Sequence, residues 1–184
     1  MVAAQQTADG SWVRAAVSRF EAALTLYAAR LLGDCDRARD VVQDTFLRLC
    51  VQSPAEVDPH LAEWLFTVCR NRSLDVLKKE RRMTRLSEDQ VRLRPSAEPE
   101  PADLAEHRDS AARAIDLVDA LPPNQREVIR LKFQNGFSYR EISRISGHSV
   151  TNVGYLIHTG LKTIRSQMAE GRAAGALPLK EGRP

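Results

Sequence analysis

The stretch SYREISRISGHSVTNVGYLIHTGLKTIR, residues 138–165, decides the fold. Ser138 and Glu141 stand at the spacing of a capping box, in which the two side chains satisfy orphan amides of a helix's first turn reciprocally. The helix they open is expected to bury Ile142 and Ile145 and to end at Gly147, a residue type that closes helices because it accepts a left-handed backbone. Ser149 then caps a second helix, with Val150, Val153, Ile157, Leu161 and Ile164 facing inward at three- and four-residue spacing. A short capped helix, a tight turn and a longer helix make a helix-turn-helix. Such a unit lays its second helix in the major groove, where N-terminal side chains reach base edges. The outward positions are Thr151, Asn152, Tyr155 and His158, with Lys162 and Arg165 further along. Asn can pair with adenine through two hydrogen bonds, and Thr can donate, accept or touch a thymine methyl. A plain helical hairpin with a polar face would share the periodicity; the turn and both caps favour DNA.

Immediately upstream, Ile115, Val118 and Leu121 form one apolar stripe that Pro122-Pro123 ends. Proline is tolerated in the first turn of the next helix, which carries Val128, Ile129, Leu131 and Phe133 and stops at Gly136. Residues 109–170 therefore form one small helical domain, with 171–184 a frayed tail. Before it, residues 85–108 hold three prolines, many acids and little apolar periodicity, the composition of an extended acidic linker.

Residues 12–84 are helix-patterned again. Phe20, Ala23, Leu24, Tyr27 and Leu31 make an amphipathic stripe that Gly33 closes. Either Asp34 or Asp36 can open the next helix, which carries Val41, Val42, Thr45, Phe46 and Leu49. After a break from Ser53-Pro54 to Pro59, a third helix carries Leu61, Trp64, Leu65, Val68, Leu74 and Leu77, with Trp64 expected in the core. It continues into the basic run Arg70–Arg85, which has seven Arg or Lys against two acids. That run is either a solvated face or a surface that neutralises phosphates without reading sequence. Strand signals are nearly absent, so the fold class is all-α, two small helical domains joined by a flexible acidic linker.

Composition excludes several functions. The chain has 184 residues, 43% of them apolar and 28% charged, with a formal net charge of +3. That balance allows nucleic-acid contact without requiring it. The three cysteines (Cys35, Cys50, Cys69) form no CxxC and lie at no zinc-ligand spacing from the four histidines; they are expected to be buried free thiols. No basic start with an apolar run marks a signal peptide, and no apolar run is long enough for a membrane span, so a soluble cytoplasmic protein is expected. Phosphate-binding, metalloprotease and nucleophile-elbow motifs are missing, and the carboxylates are dispersed at helical spacing. No enzyme, metal or cofactor is implied.

Several blocks resemble a known family. Asp40-Val-Val-Gln-Asp-Thr-Phe-Leu47, then Trp64-Leu-Phe running to Arg70-Asn71, then Asp75 and the basic run, are similar to the −10-binding domain of extracytoplasmic-function sigma factors. Leu121-Pro-Pro-Asn-Gln-Arg-Glu-Val-Ile-Arg130, Ser138-Tyr-Arg-Glu-Ile142 and Ser149-Val-Thr-Asn-Val153 look like their −35-binding domain. The blocks come in the family's order, over about residues 16–168.

The resemblance implies that Asp40, Gln43, Asp44 and Leu47 dock on the clamp coiled coil of core RNA polymerase, whose flap is a second contact. The loop Val51–His60 would cradle a base flipped from the −10 strand, with Asn71 against that base; catching an unstacked base makes melting cheaper. Arg72, Asp75, Lys78, Lys79, Arg81 and Arg82 would line the −10 duplex edge. Arg140, Arg144, Ser149, Thr151, Asn152, Tyr155, His158 and Lys162 would meet the −35 element. The linker would thread a basic polymerase channel and join two weak DNA contacts into one avid one. Promoter DNA and core polymerase are thus the implied partners, an anti-sigma factor the family's usual regulator, and the free chain a monomer.

Two departures stand out. Arg37 and Arg39 occupy positions where the family carries an acidic pair, which implies a weaker clamp contact or one that depends on added negative charge, such as phosphorylation of Thr45. The last helix has Gly154, Leu156, Thr159, Gly160 and Leu161 where basic residues are usual, which implies low DNA affinity for the isolated domain and, at Leu156, an apolar surface for a protein partner. That depletion motivates a rival reading, a degenerate sigma relative acting through protein partners. A free-standing helix-turn-helix regulator is the other, although no dimerisation helix is evident.

Overall fold

The computed structural model describes residues 2–87 and 115–175, with side chains placed for 10–83 and 115–170. Among the described residues every regular element is helical. The chain divides into two compact units, one N-terminal and one C-terminal.

In the N-terminal unit, α1 (Val2–Leu32), α2 (Cys35–Leu49) and α4 (Leu61–Ser87) pack pairwise, while α3 (Pro54–Val57) and a 3-10 turn (Asp58–His60) connect α2 to α4. Gly33 closes α1 with φ 71°, a conformation costly for residues with a Cβ. Of the two candidate aspartates it is Asp34 that caps α2: its Oδ1 accepts the amide hydrogens of Asp36 (2.9 Å) and Arg37 (3.0 Å). Those bonds, the Arg37 amide foremost, hold the Asp34 carboxyl below its usual pKa.

The core is lined by Leu24, Tyr27 and Ala28 of α1, by Ala38, Val41, Val42, Thr45, Phe46 and Leu49 of α2, and by Leu65, Phe66, Cys69 and Ser73 of α4. Tyr27 and Phe66 meet as a tilted ring pair, with centroids 5.2 Å apart. The α4 stripe runs through smaller residues than its apolar pattern implies. Leu61, Trp64, Val68, Leu74 and Leu77 are only half-buried, whereas Cys69 and Ser73 are sealed. Hydropathy undervalues small side chains, and these fit where helices approach closely. The Ser73 hydroxyl donates to the Cys69 carbonyl (2.9 Å) and the Thr45 hydroxyl to Val41 (2.8 Å), so neither is left unsatisfied.

Of the cysteines only Cys69 is buried. Cys35 and Cys50 are exposed, because they occupy the first residue of α2 and the position just past its end. Thr45 is fully buried with its hydroxyl engaged, which removes it as a phosphorylation site in the folded protein.

In the C-terminal unit, α5 is described over residues 115–119, followed by α6 (Pro123–Phe133), α7 (Tyr139–Ser146) and α8 (Val150–Gly175). Arg126 donates to the Leu121 carbonyl (3.0 Å) and Arg130 pairs with Asp119, so α6 side chains fasten the end of α5. The capping box forms as expected, with the Ser138 amide on Glu141 (2.7 Å) and the Glu141 amide on Ser138 (3.3 Å). Gly147 (φ 76°) makes the turn, the Ser143 hydroxyl donates to the His148 carbonyl (2.6 Å), and Ser149 caps α8 through the Asn152 amide (3.2 Å).

Leu121, Val128, Ile129, Leu131, Ile142, Ile145, Val153, Ile157 and Ile164 are buried. Phe133 and Val150, expected inside, are 61% and 44% exposed; both are terminal residues of their helices, which periodicity cannot tell from interior ones. Ile115, expected on an inward stripe, is also exposed. The regular elements overrun the expected domain edges. Helix α4 reaches Ser87 and α8 reaches Gly175, while the remaining linker and tail positions lie outside the described residues.

Two outcomes follow. Burial pushes the Cys69 thiol up from 9.0 to about 12, so the folded chain keeps a proton that the unfolded chain releases near pH 9. Stability from this group is intact below pH 9 and falls as pH rises toward 12. Cys69→Ala should lose that part of the alkaline slope in denaturant titrations, and thiol reagents at pH 8 should label Cys35 and Cys50 but reach Cys69 only on unfolding. At Gly160, a Cβ would lie 2.5 Å from Ile129 Cδ1 and 3.4 Å from Leu121 Cδ1. Gly160→Leu should therefore destabilise the C-terminal unit by about 1–3 kcal/mol in urea melts.

Candidate nucleic-acid interface

Helix α2 shows how packing makes a surface. With Ala38, Val41, Val42, Thr45, Phe46 and Leu49 turned inward, the three- and four-residue rule leaves Asp40, Gln43, Asp44 and Leu47 together on the opposite face. Asp40 and Gln43 are exposed, Asp44 is half-buried, and Leu47 is 59% exposed, a large apolar side chain in solvent flanked by acids. A groove of ≈ 450 Å³ between α1 and α2 borders this face, lined in part by Val13, Val17, Val42, Phe46 and Leu47.

On α4, Asn71, Asp75, Lys78, Lys79, Arg81 and Arg82 are exposed. Arg72 is half-buried: its Nε donates to Asp44 Oδ2 (2.5 Å). Two residues assigned by resemblance to different partners thus hold each other. Arg48 lies 3.9 Å from the same Asp44 oxygen. The segment 51–60 is exposed along most of its length and anchored by buried Val57.

On α7 and α8, Arg140, Arg144, Ser149, Thr151, Asn152, Tyr155, His158 and Lys162 are all exposed, opposite the buried line Val153, Ile157, Gly160 and Ile164. Lys132 stiffens the approach to α7, donating to the Phe137 carbonyl (3.2 Å) with its ammonium 5.5 Å from the Tyr139 ring centroid. Among the described residues no group of His, Cys, Asp and Glu could hold a metal ion, and no helix is long and apolar enough to cross a membrane.

This arrangement matches known proteins. Residues 16–83 fit the family model for sigma-70 region 2, and residues 111–164 that for sigma-70 region 4. The chain is 32% identical over 178 residues to the ECF RNA polymerase sigma factor SigL of Mycobacterium tuberculosis, which covers 92% of this chain and 96% of that protein. The chain belongs to the extracytoplasmic-function sigma factors of the sigma-70 family. This sigma factor is also 32% identical over 146 residues to SigE of Mycolicibacterium smegmatis, with 78% of this chain matched to about half (56%) of that longer protein. The fold is shared with RpoE in its complex with the anti-sigma factor NepR from Bartonella quintana, at TM-score 0.60 and 23% identity over 83% of this chain and 94% of that one. CnrH in complex with the cytosolic domain of CnrY follows at TM-score 0.54 and 25% identity, 90% of each chain being covered.

Within this sigma factor both sequence departures acquire structural meaning. Arg37 Nη1 lies 2.5 Å from Glu80 and its Nε 3.5 Å from Asp34, so it ties the start of α2 to α4; Arg39 pairs with exposed Asp36 (2.7 Å). On α8 the expected basic positions are not bare solvent-facing sites. Gly160 is buried, Leu156, Thr159 and Leu161 are half-buried, and Gly154 lies beneath the Tyr139 ring. At Gly160 and Gly154 the absence of a basic side chain fits the packing. The Arg37–Glu80 tie and the tight Gly160 contact leave no mark in hydropathy.

The two arginines should behave differently. Arg37→Asp places a third carboxylate beside Asp34 and Glu80 and should cost about 1 kcal/mol. Arg39→Asp, on an exposed edge, should stay within about 0.5 kcal/mol of wild type. Thermal melts of the two single variants check this directly, and equal losses would refute the assigned roles.

Proposed function

We propose that this sigma factor binds core RNA polymerase through the α2 face, recognises −35 and −10 promoter elements with its two units, and nucleates strand opening at −10 without catalysing a reaction itself. The observation that carries the reading is the strict partition of α8. Thr151, Asn152, Tyr155, His158 and Lys162 are exposed, while the same helix buries Val153, Ile157, Gly160 and Ile164. A helix packed in that way presents Thr151, Asn152 and Tyr155 from its first two turns, the part that reaches base edges in a helix-turn-helix.

The N-terminal unit supports the other half. Exposed Leu47, one turn beyond Gln43 and Asp44 and two beyond Asp40, supplies an apolar anchor beside acids, suited to a basic, apolar-striped partner such as the clamp coiled coil. Lys78, Lys79, Arg81 and Arg82 give phosphates a continuous basic edge, and Asn71 stands exposed one turn or more before it. An anti-sigma factor completes the proposed partner set; CnrH, similar at 25% identity, was solved with a protein partner. The packing at Gly160 and Gly154 weakens the reading as a degenerate relative.

Run-off transcription with purified core polymerase on a promoter library tests the proposal. Core-dependent initiation at a shared sequence is expected, with no footprint from the chain alone. Asn152→Ala should lower initiation roughly tenfold and relax the preference at one −35 base pair, the effect of losing one bidentate contact. Leu47→Asp should weaken core binding by at least roughly tenfold in competition assays while leaving the thermal melt unchanged. Dimerisation with polymerase-free operator binding would support a free-standing regulator instead, and failure to bind core at all would sink the reading.

A further inference from the structure

Helix α1 begins well before the region matched to the family, and its early part carries Trp12. The Trp12 indole N–H donates to Asp58 Oδ1 at 3.0 Å, across 46 residues. Asp58 opens the 3-10 turn Asp58–His60, at the end of the segment between α2 and α4. That segment is otherwise lightly held. Ser53 makes no side-chain cap bond to α3, the 3-10 turn has none either, and Val57 is its one buried side chain. Among the described residues, Trp12 provides the side-chain hydrogen bond that reaches residues 53–60 from another element.

We propose that Trp12 is a positioning residue for promoter melting: by holding Asp58 it fixes the shape of the 51–60 loop that receives the unstacked −10 base. The inference rests on the proposed role of that loop. Its physical basis is preorganisation. A loop fixed before the base arrives does not spend part of the capture energy on ordering itself. Indole suits the task because it has a single N–H donor on a rigid, half-buried ring, and a carboxylate acceptor strengthens the bond. An amide oxygen at position 58 could still accept it.

The test uses the full chain with core polymerase and a promoter carrying 2-aminopurine at the flipped −10 position. Trp12→Phe keeps the ring and removes the donor; it should lower the open-complex fluorescence roughly five- to tenfold, the effect of one hydrogen bond, with core affinity and −35 binding unchanged. Asp58→Ala should match it, the double variant should be no worse than either single one, and Asp58→Asn should retain most of the signal. Additive losses, or wild-type opening by Trp12→Phe while Asn71→Ala is defective, would overturn the positioning role and leave the loop's role standing. If Asn71→Ala also opens normally, the reading of the loop falls and the inference with it.

Discussion

A packed helix has one rotation to settle, and in α8 a missing side chain settles it. Gly160 lets α8 approach α6 so closely that a single Cβ would sit 2.5 Å from Ile129. Once Gly160 faces α6, the helical period carries Val153, Ile157 and Ile164 into the core and Thr151, Asn152, Tyr155, His158 and Lys162 out of it. The outward face is thus a consequence of the inward contact. A larger residue at 160 must push aside the Ile129 and Leu121 methyls that fill this contact, and a bulky one strains the packing that sets the helix's rotation.

The N-terminal unit obeys the same logic, with a complication. Its three helices are held by an apolar centre in which buried Thr45 and Ser73 donate to carbonyls one turn back, while the Cys69 thiol faces the Leu24 carbonyl of α1. The ion pairs Arg37–Glu80 and Asp44–Arg72 lie at its exposed edges, where each contributes at most about 1 kcal/mol. Such pairs are too weak to dictate the fold, but they affect availability. In the proposed function Asp44 faces polymerase and Arg72 faces phosphate, yet in the free chain each neutralises the other. Under that proposal, docking on Asp44 would release Arg72, and the two contacts would be coupled through one side-chain pair at small energetic cost.

Much of this was legible from the sequence. The helix-turn-helix, both of its caps, the Gly33 and Gly147 closures and the α2 stripe all follow from local rules: a capping oxygen, a left-handed glycine, a period of 3.6. The exposed residues of α2 and α8 followed because exposure is the complement of a correctly placed stripe. What escaped was long-range or small. Hydropathy put weight on Trp64 and Leu74 and passed over Ser73, since it measures oil rather than fit. Phe133 and Val150 continued a pattern past the helix ends that used it. The Trp12–Asp58 bond joins residues 46 apart, and no local periodicity encodes it. Gly160 looked like a lost basic residue because sequence alone does not tell an empty surface position from a crowded interior one.

That last ambiguity bears on how a chain of net charge +3 could choose a promoter. Affinity for DNA rises with the number of phosphates neutralised, and so does its loss with salt. On α8, Gly160 is committed to packing against α6 and Gly154 to Tyr139, and Lys162 and Arg165 supply charge beyond the first two turns. A recognition helix built this way contributes more to discrimination than to holding power. The holding power must come from elsewhere, from a second DNA contact and from polymerase, with tethering in one complex raising the effective concentration of each contact. Under the proposed function, weak binding by the isolated C-terminal unit would follow from how α8 is packed.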